Sequence, residues 1–486
     1  MNAPLVLEPT TSTSSGTYTF SNNASSTTEL LTFGDGITGG TTSSTITLNL
    51  AGSNSGNNAV NGVIGNGSAT GGVALSKSGS GTWILGNANS YTGGTTVSAG
   101  LLQVGNNAAL GNVNNTLIVN GGTLDLNGKT VSVGNLTGTS GGTILNNSTG
   151  TNITFTIGSG NATGGNYQGI IADHSLGTGT LALTKSGTGT ITLSGANTYS
   201  GATTISGGTL QIGNGGATGS LSTSSAITDN ANLTINRNNA VTQGTDFSSS
   251  GISGTGSFTQ AGSGTTTLNA ANSFSGATTV NAGTLKTTAA NALGGTTGIT
   301  VNNNGSLTLS ANNTINDAAT MTLNGNVTTS NPATKNLVVT GSEGSSTDTS
   351  ATAGLGSLTL QSRSTLDFLQ STNTIVFGQT AGVAFADSGA FKLDIYNYIG
   401  DSTPTGNFDH LVFQQDMSTL TSDFEFWNGS SFIDATAVQL GASSFWEIVP
   451  LEPVPEPSTW AAGGLSLLVI AYSQRRRFAR AVKRAN

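Results

Sequence analysis

Residues 73–111 read VALSKSGSGTWILGNANSYTGGTTVSAGLLQVGNNAALG, and residues 181–219 repeat them as LALTKSGTGTITLSGANTYSGATTISGGTLQIGNGGATG, displaced by 108 positions without a gap. A third copy at 256–294 drifts but keeps the frame. In it Gln260 stands where Lys77 and Lys185 stand, Phe274 replaces Tyr91 and Tyr199, and GATTVNAGTL at 276–285 echoes GATTISGGTL at 201–210. A unit that returns in this way implies a stack in which each copy packs on the next. Within the unit, TTVSAGLLQV places Thr95 and Val97 on one face, breaks at Ser98-Ala99-Gly100, and resumes with Leu102 and Val104 on one face. That is a strand period interrupted by a corner. Gly100, Gly208 and Gly283 share the corner position, where a positive φ is costly for any residue with a Cβ.

A finer period lies inside the larger one. TTVSAGLLQVGN at 95–106 matches LIVNGGTLDLNG at 117–128, so Val97, Leu102 and Val104 map onto Val119, Leu124 and Leu126, each 22 residues on. In the third copy Val280 recurs as Val301 and Leu285 as Leu307. Short strands at such steps, joined by Gly/Asn/Ser corners, predict an all-β chain wound as a parallel β-helix. At about 4.8 Å per coil, some fourteen coils would make a rod roughly 65 Å long.

Composition agrees. Only 7% of the 486 residues are charged, 71 are glycine, and none is cysteine, so the stack must hold by ladder hydrogen bonds and apolar columns. Residues 1–29 form a Ser/Thr-rich lead-in without the basic and apolar regions of a signal peptide, which is expected upstream. The β-helix is expected over 30–365. From 366 to 450 the chain turns aromatic and acidic: residues 368–446 hold half of its aromatic side chains, and acidic residues outnumber basic ones 12 to 2 over 351–457. This region is expected to be a second β element, either a cap over the last coil or a ligand platform.

Residues 451–486 differ again. LEPVPEPSTW is followed by an apolar run to Tyr472 and then QRRRFARAVKRAN, which places six of the 14 Lys and Arg in the last twelve residues. The run 460–472 predicts a short transmembrane helix. Trp460 marks its start, and Arg475, Arg476, Arg477 and Arg480, in a basic tail spanning 475–484, act as a stop-transfer flank held on the cytoplasmic side.

Two resemblances follow from these residues. Val454, Pro455, Glu456, Pro457, Ser458 and Thr459, ahead of an apolar helix and an arginine cluster, resemble the PEP-CTERM sorting signal of Gram-negative bacteria. The resemblance implies export, recognition of Pro455-Glu456-Pro457 by a membrane-embedded exosortase, passage through the inner membrane, and removal of the tail on transfer to the cell surface or exopolysaccharide matrix. The body, with KSGSGTWILGNANSYTGGTTVSAGLLQVGN at 77–106, resembles the autotransporter-associated β-strand repeat. No alternating strands of a translocator barrel follow it, so self-export through such a barrel is not expected.

Groups able to do chemistry are sparse. His174 and His410 stand without a G-x-S-x-G or H-E-x-x-H motif, and each reads as a surface histidine, so no catalytic residue is assigned. Asp125 in GGTLDLNGK is replaced by Gln211 and Lys286 in the other copies, which argues against a calcium repeat; no metal or other cofactor is expected. With 8 basic residues against 22 acidic ones, the chain ahead of its last twelve residues would repel nucleic acid. The sequence therefore points to a non-catalytic, adhesin-like surface or matrix protein, with exosortase, the membrane and exopolysaccharide as candidate partners. The alternatives are a carbohydrate-binding surface protein and a polysaccharide-degrading β-helix enzyme.

Overall fold

The computed structural model describes residues 4–325, 335–343, 355–369, 373–378, 384–385, 391–399, 409–440 and 445–451. The chain divides into two compact units, Met1–Ala319 and Thr320–Asn486. Regular structure among the described residues is all β, apart from single 3-10 turns at Ser159–Asn161 and Thr421–Asp423. None of the described residues forms a helix long and apolar enough to cross a membrane. The helix expected at 460–472 lies outside the described residues, as does everything from 452 onward.

In the first unit every described strand pairing is parallel. Val73–Lys77 takes Ile46–Gly52 on one edge and Thr95–Val97 on the other, and Thr95–Val97 pairs onward with Leu117–Val119. A second sheet carries Asn58–Val60, Thr82–Leu85, Leu101–Val104 and Gly121–Asp125. From Val73 to Asp125 consecutive strands thus go alternately to one sheet and the other, while Leu5–Leu7, Ile37–Gly39 and Ile64–Gly65 form a third. The partners Val97 with Val119 and Leu102 with Leu124 are the 22-residue steps of the sequence. Val280 with Val301 and Leu285 with Leu307 behave alike, and the step grows from 21 to 22 because the register shifts between Val280 and Ala282. One strand holds an extra residue there, as in a β-bulge.

Alternating burial explains why these residues form these strands. Val73, Leu75 and Lys77 point inward while Ala74 and Ser76 lie at the surface. In-register pairing then lines up inward columns, such as Leu50, Lys77, Val97 and Val119. Each aliphatic side chain so buried contributes roughly 1.5–3 kcal/mol relative to exposure. The corners turn at glycine as the sequence requires: φ is 67° at Gly100, 61° at Gly208 and 62° at Gly283. A Cβ at these positions would sit 2.4, 2.3 and 2.2 Å from the carbonyl oxygens of Gly81, Gly189 and Gly264, so the backbones of neighbouring corners touch directly.

The second unit mixes directions. Ser364–Asp367, Leu393–Tyr396 and Phe424–Trp427 pair in parallel. Phe424–Trp427 then forms an antiparallel hairpin with Phe432–Gln439, which pairs with Trp446–Pro450. Leu366, Ile395 and Phe426 are aligned and buried on one face of this sheet. Asp394 and Glu425, with Tyr396 and Trp427 two residues on, take the other.

Candidate functional site

The residues that carry the sorting signal, Val454 to Thr459, together with Trp460, Arg475, Arg476, Arg477 and Arg480, lie outside the described residues. Three arrangements elsewhere have the chemistry to matter.

The first is a buried cation in the repeat. Period-2 parity turns Lys77 and Lys185 inward at the ends of Val73–Lys77 and Leu181–Lys185, and both are fully buried. Lys77 Nζ donates to the carbonyls of Ser78, Gly79 and Ala99 at 2.9, 2.8 and 2.9 Å. Lys185 Nζ donates to those of Ser186, Gly187 and Gly207 at 2.7, 3.1 and 3.0 Å. Each ammonium ties its own corner to the corner of the next strand pair, and all three of its protons are used. Gln260 takes the same place in the third copy and donates through Nε2 to Gly262 and Gly264 at 2.7 and 3.3 Å. Burial pushes both lysines down to about 8. The aromatic positions covary in the same way. Tyr91 and Tyr199 hydroxyls pair with Thr95 and Thr203 at 2.6 and 2.7 Å. Thr203 Oγ1 also pairs with Ser225 Oγ at 2.8 Å, and where Phe274 lacks the hydroxyl Thr278 keeps a cross-strand partner of that kind, Thr296 Oγ1 at 3.1 Å. The sequence had aligned Lys77, Lys185 and Gln260 without assigning them a place; the signal was their inward parity with Val73 and Leu75.

The second is a groove of about 610 Å³ on the first unit. Tyr167, Leu193, Ile212 and Ile235 are partners on four successive strands. The residues that leave those strand ends, Gln168, Ser194, Asn214 and Arg237, line the groove together with Ile170 and Ala196. Arg237 is 7% exposed. Its Nη1 donates to Gly219 O at 2.9 Å and to Asp246 Oδ1 at 2.8 Å, and its Nε donates to Asn239 Oδ1 at 3.0 Å. A smaller hollow of about 240 Å³ lies near the corresponding loop of the first copy, beside Leu110, Gly111 and Val113. Sequence reading passed over the larger groove because its polar residues lie largely in loops between and after the recognisable strands.

The third lies in the second unit. His410 is not a free surface residue as the sequence suggested: its Nδ1 is 2.7 Å from Glu447 Oε1, an oxygen that also accepts from the Tyr398 hydroxyl at 3.4 Å. The antiparallel pairing of His410–Phe413 with Trp446–Pro450 brings the two together. Asp409 is fully buried, its oxygens accept the N–H groups of Asn373 and Ile399, and burial pushes it up to about 7. His174 is exposed. Asp125 Oδ1 accepts the N–H groups of Asn127 and Asn147, and Oδ2 accepts from Gln103 Nε2, so its carboxylate serves the turn. Among the described residues no cluster of three or more His, Asp or Glu could hold a metal ion.

Comparison with known proteins bears on the repeats and on the last part of the chain. The passenger-associated-transport-repeat family matches at residues 75–104, 183–212 and 258–286, which are the three copies. The PEP-CTERM protein-sorting motif matches at 453–477. The chain therefore carries autotransporter-type repeats and a PEP-CTERM signal. It is also similar to the adhesin BmaC autotransporter of Brucella suis biovar 1 (strain 1330), 42% identical over 130 residues, which are 26% of this chain and 4% of that protein. No solved structure matches.

Proposed function

We propose that the chain is a non-catalytic, exported surface or matrix protein with a body wound as a parallel β-helix, delivered by its PEP-CTERM tail. The observation that carries this reading is the conjunction of passenger-type repeats and a sorting motif in one chain. In this reading an exosortase recognises Pro455-Glu456-Pro457, residues 460–472 hold the chain in the inner membrane before processing, and Arg475, Arg476, Arg477 and Arg480 keep the end inside. The name of the similar adhesin supports a surface role, through adhesion or through cohesion of an exopolysaccharide matrix. Strands that alternate between parallel sheets at steps of 19 and 22 residues support the β-helix.

Changing Pro455, Glu456 and Pro457 together to alanine tests the reading in a host that has the exosortase. The expected result is full-length protein accumulating in the inner membrane, while the parent is cleaved and reaches the surface. Equal processing of the variant would make 451–486 an ordinary anchor and remove the basis for the assignment.

A further inference from the structure

We infer that the groove along the strand ends of the first unit binds a segment of a neutral, linear glycan. The inference deepens the matrix reading above and rests on it for the setting in which such a polymer is met.

The shape comes from the stacking. Tyr167, Leu193, Ile212 and Ile235 succeed one another in register, and Gln168, Ser194, Asn214 and Arg237 follow them by one or two residues where the chain leaves four successive strands. Three steps of about 4.8 Å make a track on the order of 14 Å long, suited to an extended chain rather than a compact ligand. Its lining is mixed in character. The exposed amides of Gln168 and Asn214 can donate and accept, while the Ser194 hydroxyl is buried and donates to Asn166 Oδ1 at 2.6 Å; Ile170, 38% exposed, and the exposed Ala196 offer apolar contact. A pyranose chain presents the same mixture, hydroxyl edges and C–H faces.

Charge selects the class. Arg237 is the groove's cation, and it is neutralised at 2.8 Å by Asp246, whose other oxygen accepts the Thr242 N–H at 2.8 Å. A phosphate or uronate would face a guanidinium already paired, beside a carboxylate of its own sign. A neutral hydroxyl can share the carboxylate as an acceptor. An extended peptide is disfavoured because the strands that end here are already paired within the sheet and offer it no edge.

The test is calorimetric titration of the full-length chain, held in a detergent without a sugar headgroup, with maltohexaose, cellohexaose, N-acetylchitohexaose and oligogalacturonate. At least one neutral oligosaccharide is expected to bind saturably, and oligogalacturonate is expected not to. Ala196→Trp, which fills the groove and leaves Arg237 and Asp246 unmutated, should weaken binding at least about tenfold, with an unchanged circular dichroism spectrum. Asn214→Ala should weaken it by a smaller factor. Absence of binding by every neutral probe, or undiminished binding in Ala196→Trp, overturns the inference. Loss of binding only in Trp427→Ala also overturns it and moves the glycan to the aromatic sheet. The processing of the Pro-Glu-Pro variant is scored separately, so failure of the groove leaves the export reading standing.

Discussion

Replacing Lys77 by methionine tests the corner clamp directly. The substitution keeps side-chain length and apolar bulk but leaves the carbonyls of Ser78, Gly79 and Ala99 without their shared donor. An orphaned buried acceptor costs about 1–3 kcal/mol; these three carbonyls sit on half-buried or exposed residues that water reaches in part, so together they cost about 3. Relief from burying an ammonium returns part of this, since burial already disfavours the charged form. A net loss of about 1–3 kcal/mol remains, which corresponds to roughly five- to 150-fold faster local opening. Hydrogen exchange by mass spectrometry on the full chain reads it at the amides of Ser98 and Leu101, which bond to Lys77 O and Gly81 O across the same corner. Lys77→Gln should fall between the two, because Gln260 already makes two such bonds in the third copy. If Lys77→Met exchanged as slowly as the parent, the carbonyl clamp would contribute nothing and the lysine would be a packing residue only.

The same lysines give a pH dependence. Folded Lys77 and Lys185 lose their protons near 8, whereas the unfolded chain keeps them to 10.5, so the unfolded state binds more protons in that window and stability rises with pH. The urea midpoint should increase from pH 8 to pH 10, and a Lys77→Met/Lys185→Met double variant should lose that slope. Asp229 works at the acid end: burial raises it from 3.8 to about 6, so the folded state binds more protons there, and stability should fall as pH rises from 4 to 6. Asp229→Asn should flatten that part of the curve in the same assay. Gly208→Ala should cost more than about 1 kcal/mol in urea unfolding, because φ is 61° and the new Cβ would lie 2.3 Å from Gly189 O. A neutral result there would mean the corner relaxes.

Sequence reading was strongest where a residue's place depends on its own strand. Val97 with Val119, and Leu285 with Leu307, were legible because inward apolar residues recur at a fixed step and pairing merely brings them into register. Gly100 was legible because its backbone conformation excludes other residues. Lys77 was not, since hydropathy assigns a lysine to water while parity sends it inward, and three carbonyls from two corners decide the conflict. The groove was hidden for a different reason: Gln168, Ser194, Asn214 and Arg237 are far apart in sequence and meet only because their strands stack. His410 and Glu447 likewise meet through an antiparallel pairing that no local pattern announces.

The parallel register of the repeats also bears on how such a chain changes length. Val73–Lys77 sits between Ile46–Gly52 and Thr95–Val97, and Leu181–Lys185 sits between Ile153–Ile157 and Thr203–Ile205, so both copies occupy the same kind of seat. Leu48, Leu75 and Thr95 line one seat, and Phe155, Leu183 and Thr203 line the other, all turned inward. An unequal crossover between the two copies would add or remove a block of 108 residues, the displacement from one copy to the next, and deliver each remaining strand to a neighbour of the kind it already has. Because each repeat depends mainly on the pair flanking it, gain or loss of a whole block leaves no broken corner inside. The number of blocks can therefore vary by inheritance while the chemistry of each corner stays constant.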